Sequence, residues 1–474
     1  MELPESFTTY TKTLMGESLY GDFLASFQQE QPTSIRINRS KWSGNPIAAQ
    51  VVPWCADGFY LSERPIFTFD PLFHAGCYYV QEAASMFICQ ALGQYLEDSH
   101  PLQVLDMCAA PGGKSTAVQS ILPKGSVMIC NEPIRQRANI LAENMHKWGA
   151  TNTLVTNNYP ADFTRLSLDF DVIICDVPCS GEGMFRKDEG AIGEWSTQNV
   201  EKCRVLQRDI VSKAWDMLKP GGLLVYSTCT FNTHEDEENI AWICNEYDAE
   251  VLPVDTLTDW GITNSLLPNF EKPVYRFIPG RTQGEGIFMA IIRKGGKTED
   301  SLLMINSRKK DDKKNKKNKR NEKESNLSLK NVLQWINNSD AFVVDEREDI
   351  IYAIPLEMVP IYNKVKGKLR LLKAGITIGQ IKGKDIIPNQ SLALSLALKN
   401  EAFPIVELEY QQAIAYLRKE PIILPIETPR GYVIVSYRQK PLGFVKNIGN
   451  RSNNLYPMEW KIKSSHIPDA CRIL

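Results

Sequence analysis

At 474 residues the chain has room for two to four domains, and its 43% apolar content supports sizeable buried cores. No apolar run approaches the ~18 residues of a membrane span, and Met1-Glu2-Leu3-Pro4-Glu5-Ser6 has neither a basic start nor an apolar stretch, so a helical membrane protein is excluded and a cytoplasmic one expected. The net charge of −2 hides segregation: Arg308–Glu324 holds ten basic and four acidic residues, leaving −8 elsewhere.

The eleven cysteines are odd in number and scattered through apolar runs such as Val172-Ile173-Ile174-Cys175, which predicts reduced thiols rather than disulfides. There is no Cys-x-x-Cys pair and the five histidines are dispersed, so no metal site is expected.

The chain opens with a helical pattern from Phe7 to Phe27, then Pro32-Thr33-Ser34-Ile35-Arg36-Ile37-Asn38 alternates polar and apolar like a strand. Together they predict a small α+β module. A surface strand is expected here, with Arg36 and Asn38 as alternative RNA contacts. Tyr78–Phe87 leads into a helix ending near Leu96. Strands are then predicted at 102–106, 126–131, 152–156, 171–176, 223–228 and 286–293. Helices between them are clearest at Arg135–Trp148 and Val200–Leu218. Such alternation predicts a mostly parallel, doubly wound sheet, with ligands beyond the carboxyl ends of its strands.

The first of these strands runs into Cys108-Ala109-Ala110-Pro111-Gly112-Gly113-Lys114, after which a helix restarts at Ser115. Glycines let backbone approach a ligand, and the free N–H groups of the helix start favour an anion. A phosphate-binding loop would need its first glycine where Cys108 stands, and the three-glycine dinucleotide fingerprint is absent. The methionine carboxylate of S-adenosylmethionine suits the loop, and so does a plain strand-to-helix turn with no ligand.

The second strand ends at Glu132, placed to accept from ribose hydroxyls or simply to start a helix. The third ends at Asn157-Asn158-Tyr159, where the Asn158 amide could read an adenine edge. The fourth ends at Asp176-Val177-Pro178-Cys179, the fifth at Ser227-Thr228-Cys229. Most cysteines are read as small buried hydrophobes. Cys179 and Cys229 are read otherwise, because both follow strand ends on the edge where loops carry function. Carbon-5 of a pyrimidine is a poor nucleophile until a thiolate adds to carbon-6, and the adduct must later be resolved. Two thiols and an acid at one sheet edge suit that chemistry.

At this point the chain resembles the NSUN-type RNA (cytosine-C5) methyltransferases, and among them the bacterial 16S rRNA enzymes of the RsmF/YebU type. The resemblance spans nearly the whole chain. It rests on Cys108–Lys114, on Asp176-Val177-Pro178-Cys179-Ser180-Gly181-Glu182-Gly183 and on Ser227-Thr228-Cys229-Thr230-Phe231. It implies Cys229 as the thiol attacking carbon-6, Cys179 as the one resolving the adduct, and Asp176 as the acid of the cofactor and cytosine pocket. It also implies the 108–114 loop as the S-adenosylmethionine site and Glu132 as the ribose acid. The family often has Asp after the third strand, where this chain has Asn157, Asn158 and Tyr159.

Gly284-Glu285-Gly286-Ile287-Phe288 resembles the family's closing catalytic strand. Arg308–Glu324 reads as a charged flexible linker and Leu327–Ile336 as a helix. Gly367–Gly375 reads as a basic strand, and 431–437 with 440–446 as a hairpin. Basic residues gather around Lys364–Lys384 and Arg430–Lys463, each group a candidate phosphate contact or a solvated face.

The expected fold class is α/β: a Rossmann-like S-adenosylmethionine-dependent methyltransferase domain with a small α+β N-terminal module and C-terminal α+β and PUA-like β modules. The expected division is 1–75 (N-terminal RNA-binding module), 76–295 (catalytic domain), 296–326 (linker), 327–390 (small module) and 391–474 (PUA-like RNA-binding domain). The expected partner is RNA, 16S rRNA in the 30S subunit foremost, with no membrane and no metal. The alternatives are a tRNA cytosine-C5 methyltransferase and an assembly factor with a vestigial pocket.

Overall fold

The computed structural model describes residues 3–47, 49–96, 100–296, 332–464, 466–471 and 473–474. The predicted charged linker and the start of the predicted 327–336 helix lie outside the described residues. Of that helix the described residues are helical at Val332 and continue as a 3-10 turn over Leu333–Trp335.

The chain begins with a helix, Glu5–Ser26, broken at Gly16. A four-stranded antiparallel sheet follows: β1 (Thr33–Ile37), β2 (Gln50–Val52), β3 (Cys55–Leu61) and β4 (Tyr78–Val80), in the order β2-β3-β1-β4. Alternation in β1 predicts one solvated face. Instead every residue of β1 is buried, Arg36 at 1% exposure and neighbouring Asn38 at 2%. Arg36 donates to Gln81 Oε1 (2.8 Å) and Thr116 Oγ1 (2.6 Å), and its guanidinium lies over the Trp148 ring. Asn38 donates to the carbonyls of Gly76 and Trp148. Both residues join the N-terminal sheet to the central one, so the surface strand and the RNA contacts expected of them are both corrected.

The central sheet holds β5 (Gln103–Asp106), β6 (Val127–Asn131), β7 (Thr153–Thr156), β8 (Phe170–Asp176), β9 (Leu218–Thr228), β10 (Ala249–Leu252), β11 (Tyr275–Phe277) and β12 (Ile287–Lys294). Its order is β10-β12-β9-β8-β5-β6-β7, with β11 on β12. β5, β6, β7, β8 and β9 pair in parallel, and β12 runs antiparallel to β9. Covered on both faces, these strands read as continuous apolar runs such as Val172–Cys175. The helix Arg135–Trp148 buries Ala138, Leu141, Ala142, Met145 and Trp148, a helical stripe, and ends at Gly149 with φ +87°. The helix Thr197–Met217 starts at Ser196, whose side chain accepts from Asn199 N–H. Strand order reverses between β5 and β8, so the topological switch point falls where Asp106 and Asp176 end their strands.

The remaining strands are β13 (Phe342–Arg347), β14 (Ile350–Pro355), β15 (Leu371–Ala374), β16 (Ile376–Lys382), β17 (Asp385–Pro388), β18 (Ile405–Glu407), β19 (Gly431–Tyr437), β20 (Lys440–Asn447) and β21 (Ser452–Asn454). They form two four-stranded sheets, β13-β14-β16-β17 and β18-β19-β20-β21, and β19 with β20 is the predicted hairpin. β15 leaves its neighbours and adds antiparallel to β7, the far edge of the central sheet. Lys373 on it is 2% exposed and donates to the carbonyls of Ala150 and Gly375 and the Thr153 hydroxyl. It is therefore corrected from the basic surface group to an interior amine, pushed down to about 7 by burial, that is bonded to carbonyl and hydroxyl oxygens. The first and last modules share a core in which Ile35, Phe59 and Tyr78 meet Ile414, Val433 and Tyr456. Among the described residues no helix is long and apolar enough to cross a membrane.

Candidate active site

The turn after β5 is held from three sides. Gly112 takes φ +111°, a left-handed conformation that costs any side-chain-bearing residue, and an added Cβ would stand 3.2 Å from Leu141. The helix Gly113–Ile121 starts there, and Ser115 Oγ ties it back to Asp106 Oδ2 (2.7 Å). Ala109 N–H donates to the Asn131 carbonyl (2.8 Å), linking the turn to the end of β6. Asp106 is fully buried, and its Oδ1 has no hydrogen-bond partner. Burial pushes its carboxyl up to about 7, against the Ser115 hydrogen bond.

A cavity of about 300 Å³ opens at the switch point, lined among others by Asp106, Cys108, Lys114, Asp176, Cys229 and Glu285. Lys114 Nζ reaches Asp176 Oδ1 at 2.9 Å, and Ser227 Oγ donates to the same oxygen at 2.7 Å. Burial alone would lower the Lys114 pKa, but the Asp176 charge and hydrogen bond outweigh it and hold the ammonium charged. Burial raises the Cys108 thiol well above its ordinary value, so that sulfur stays protonated.

Cys179 and Cys229 come together: Sγ to Sγ is 3.1 Å, and Cys229 N–H points at Cys179 Sγ from 3.3 Å. Both are free thiols, at a separation well beyond a bonded pair. The hydrogen bond to Cys229, then burial, drives the Cys179 pKa well up. Cys179 thus keeps its proton, within hydrogen-bond distance of the Cys229 sulfur.

The two cysteine loops are pinned by buried carboxylates: Glu182, inside the Asp176–Gly183 motif but given no role there, and Glu235, Asp236 and Glu237, outside the motifs. Glu182 accepts from Phe231 N–H (2.6 Å), Asn232 N–H (3.0 Å) and Trp195 Nε1 (2.9 Å). Glu235 accepts from the Ser180 backbone and hydroxyl, Asn232 and Gln207. Buried Arg276 pairs with Asp236 and Glu237 and donates to the Phe231 carbonyl (3.0 Å). The signal was present as Glu235-Asp236-Glu237-Glu238, a run of acids just past a strand end that a soluble surface would equally show. Gly183 N–H donates to the Cys229 carbonyl (2.8 Å), and a Cβ there would meet the Gly286 carbonyl at 2.6 Å.

Glu132 stands apart from the cavity lining. It is 1% exposed, and its Oε1 accepts from Ile134 N–H; Oε2 has no hydrogen bond, with Arg137 Nη1 3.5 Å away. Asn158 is otherwise engaged: its Oδ1 accepts from Arg370 N–H (3.0 Å) and its Nδ2 donates to Asp162 (3.3 Å). Its side chain fastens the loop after β7 to the backbone leading into β15, a use the sequence did not suggest.

Residues 94–293 match the model of the 16S rRNA methyltransferase RsmB/F family. Residues 3–83 match the N-terminal domain of 16S rRNA methyltransferase RsmF, and 403–462 the methyltransferase RsmF PUA domain. Ribosomal RNA small subunit methyltransferase F of Cronobacter sakazakii is 30% identical over 480 residues, covering 96% of each chain. That of Salmonella agona is 31% identical over 475 residues, again 96% of each. Among solved structures, a methyltransferase homolog protein from Pyrococcus horikoshii is 28% identical, with TM-score 0.50, over 62% of this chain and all of its own. NSun6 from Pyrococcus horikoshii, solved with SFG, shares the fold at TM-score 0.51 and 18% identity, over 62% of this chain and 99% of its own. The catalytic sheet has the Rossmann-like S-adenosylmethionine-dependent methyltransferase fold. At that identity along nearly its whole length, the protein belongs to the 16S rRNA methyltransferase RsmB/F family.

Proposed function

We propose that this protein methylates carbon-5 of cytosine in RNA, with 16S rRNA of the 30S subunit as substrate, in the cytoplasm. The observation that carries the proposal is the pair of sulfurs 3.1 Å apart at a cavity that also takes in the glycine turn and the Lys114–Asp176 pair. S-adenosylmethionine fits the residues present. Asp106 Oδ1 and Glu132 Oε2 are buried acceptors without hydrogen-bond partners, suited to the cation and to the ribose hydroxyls. Cys108, Ala109, Ala110, Pro111, Gly112, Gly113 and Lys114 would form its cradle, and the Asn158 turn would lie at its adenine end. When bound, its sulfonium supplies an electrophilic methyl group.

The remaining steps belong to this chain's side chains. Cys229 as thiolate adds to carbon-6, and carbon-5 becomes the nucleophile. Asp176, held by Lys114 and Ser227, faces the ring edge at nitrogen-3 and stabilises the adduct. Once the methyl is on carbon-5, its proton leaves to a base and the carbon–sulfur bond to Cys229 breaks. Cys179 supplies its proton to the departing Cys229 sulfur. We further propose that residues 1–75, 327–390 and 391–474 hold RNA around a catalytic body at 76–295, with 296–326 as tether. The test is transfer of labelled methyl to 30S subunits, naked 16S rRNA and tRNA. Label on the ribosomal substrates is expected. Label on tRNA alone refutes the ribosomal assignment, and label on none favours an assembly factor.

A further inference from the structure

Most polar groups lining the cavity are already committed. Glu82 accepts from Ala84, Ser85 and Glu285 N–H, and the Gln81 amide is held between Arg36 and Ser85. Asp176 Oδ1 is taken by Lys114 and Ser227. Two buried acceptors are left without a hydrogen bond, Asp106 Oδ1 and Glu285 Oε2. Asp106 belongs to the glycine-turn side. Glu285 belongs to the other: Phe288 pairs with Thr228, which puts Ile287 level with Cys229 and Glu285 two residues further along. The Glu285 side chain is only 4% exposed, and its Oε1 is fixed by Arg186 Nη1 at 3.2 Å. Arg186 is in turn braced by the Gln29 carbonyl (3.3 Å). Burial raises the Glu285 carboxyl, and the charges of Lys187 and Arg186 oppose that rise.

A fixed carboxylate oxygen at the cavity wall with no hydrogen bond from the protein is open to a donor from the ligand. It repels a phosphate, so it does not serve the RNA backbone. Resting on the cytosine methylation proposed above, we propose that Glu285 selects cytosine over uracil, its Oε2 accepting an N–H of the exocyclic amine while Asp176 faces nitrogen-3. Uracil presents a carbonyl oxygen at the same place. Two acceptors then meet in a buried pocket and neither finds a proton. Arg186 is a positioning residue in this scheme, because it fixes which Glu285 oxygen is free.

The test uses the full chain and RNAs that carry cytosine, uracil or 2-pyrimidinone, which lacks the exocyclic amine, at the mapped target. Wild type is expected to favour cytosine over 2-pyrimidinone by about 100-fold in kcat/KM. Glu285→Gln should cut the cytosine rate by about 100-fold, leave 2-pyrimidinone nearly unchanged, and hold S-adenosylmethionine affinity within about twofold. Its amide can donate to a carbonyl, so covalent adducts with the uracil RNA should rise relative to wild type. A variant that keeps the wild-type preference for cytosine over 2-pyrimidinone overturns the assignment. If Glu285→Gln fails to bind the cofactor, Glu285→Asp decides: it keeps the charge but withdraws the oxygen, so an undiminished preference overturns the proposal. Wild type that methylates no cytosine RNA would sink the reaction itself, which is a separate failure.

Discussion

A thiol attacks only after losing its proton, and here a second thiol lies 3.1 Å from the sulfur proposed to attack. Cys179 is held protonated by its contact with Cys229 and by burial. Cys229→Ser should therefore lower transfer by at least about 10³-fold while leaving cofactor affinity within about threefold. Cys179→Ala should leave Cys229 bonded to RNA, seen as a shifted band on a denaturing gel; normal product release without that band removes Cys179 from resolution. Asp106 gives a pH signature. Its folded pKa of about 7 lies above the ordinary carboxylate value, so its contribution to stability is full below about pH 4 and lost as pH rises through 7. Asp106→Asn should flatten that loss, and a thermal melt that falls equally for both proteins between pH 5 and 8 would contradict it. Single residues were also where sequence patterns misled. Arg36, Asn38 and Lys373 look like surface polar groups, yet each is buried with carbonyl, hydroxyl or amide partners far away in sequence. Periodicity reports local alternation and carries no information about a partner a hundred residues away.

Elements were more legible than residues. The predicted strands at 102–106, 126–131, 152–156 and 171–176 and the helix 135–148 fall within a residue or so of those observed, because long apolar runs and a helical stripe are local signals. The joining of β15 to β7 was not legible, since edge pairing depends on a register set over 200 residues away. The motifs located the glycine turn, both cysteine loops and Glu182 within one of them, but not Glu235, Asp236 and Glu237, which look like ordinary charged surface in sequence. Close packing between those loops yields a test. In Gly183→Ala the new methyl has nowhere to go between the Gly286 and Cys229 carbonyls. Methyl transfer should fall by about 100-fold with cofactor affinity kept, as a displacement near 1 Å at the reacting sulfur would cause. Equal rates for variant and wild type would mean the loops have slack.

The whole molecule wraps the catalytic sheet with modules drawn from both ends of the chain. The N-terminal and last sheets share one core, and β15 extends the central sheet. RNA held by charged modules should show a KM that climbs with salt, while cofactor affinity stays nearly constant. A salt-independent KM would remove the modules from RNA binding. The most direct check on the central claim is a bisulfite map of 16S rRNA from cells with and without this protein. At least one cytosine should be protected only when it is present, with protection restored by wild type and not by Cys229→Ser. An unchanged map, or full protection restored by Cys229→Ser, would contradict a cysteine-dependent cytosine methylation of ribosomal RNA.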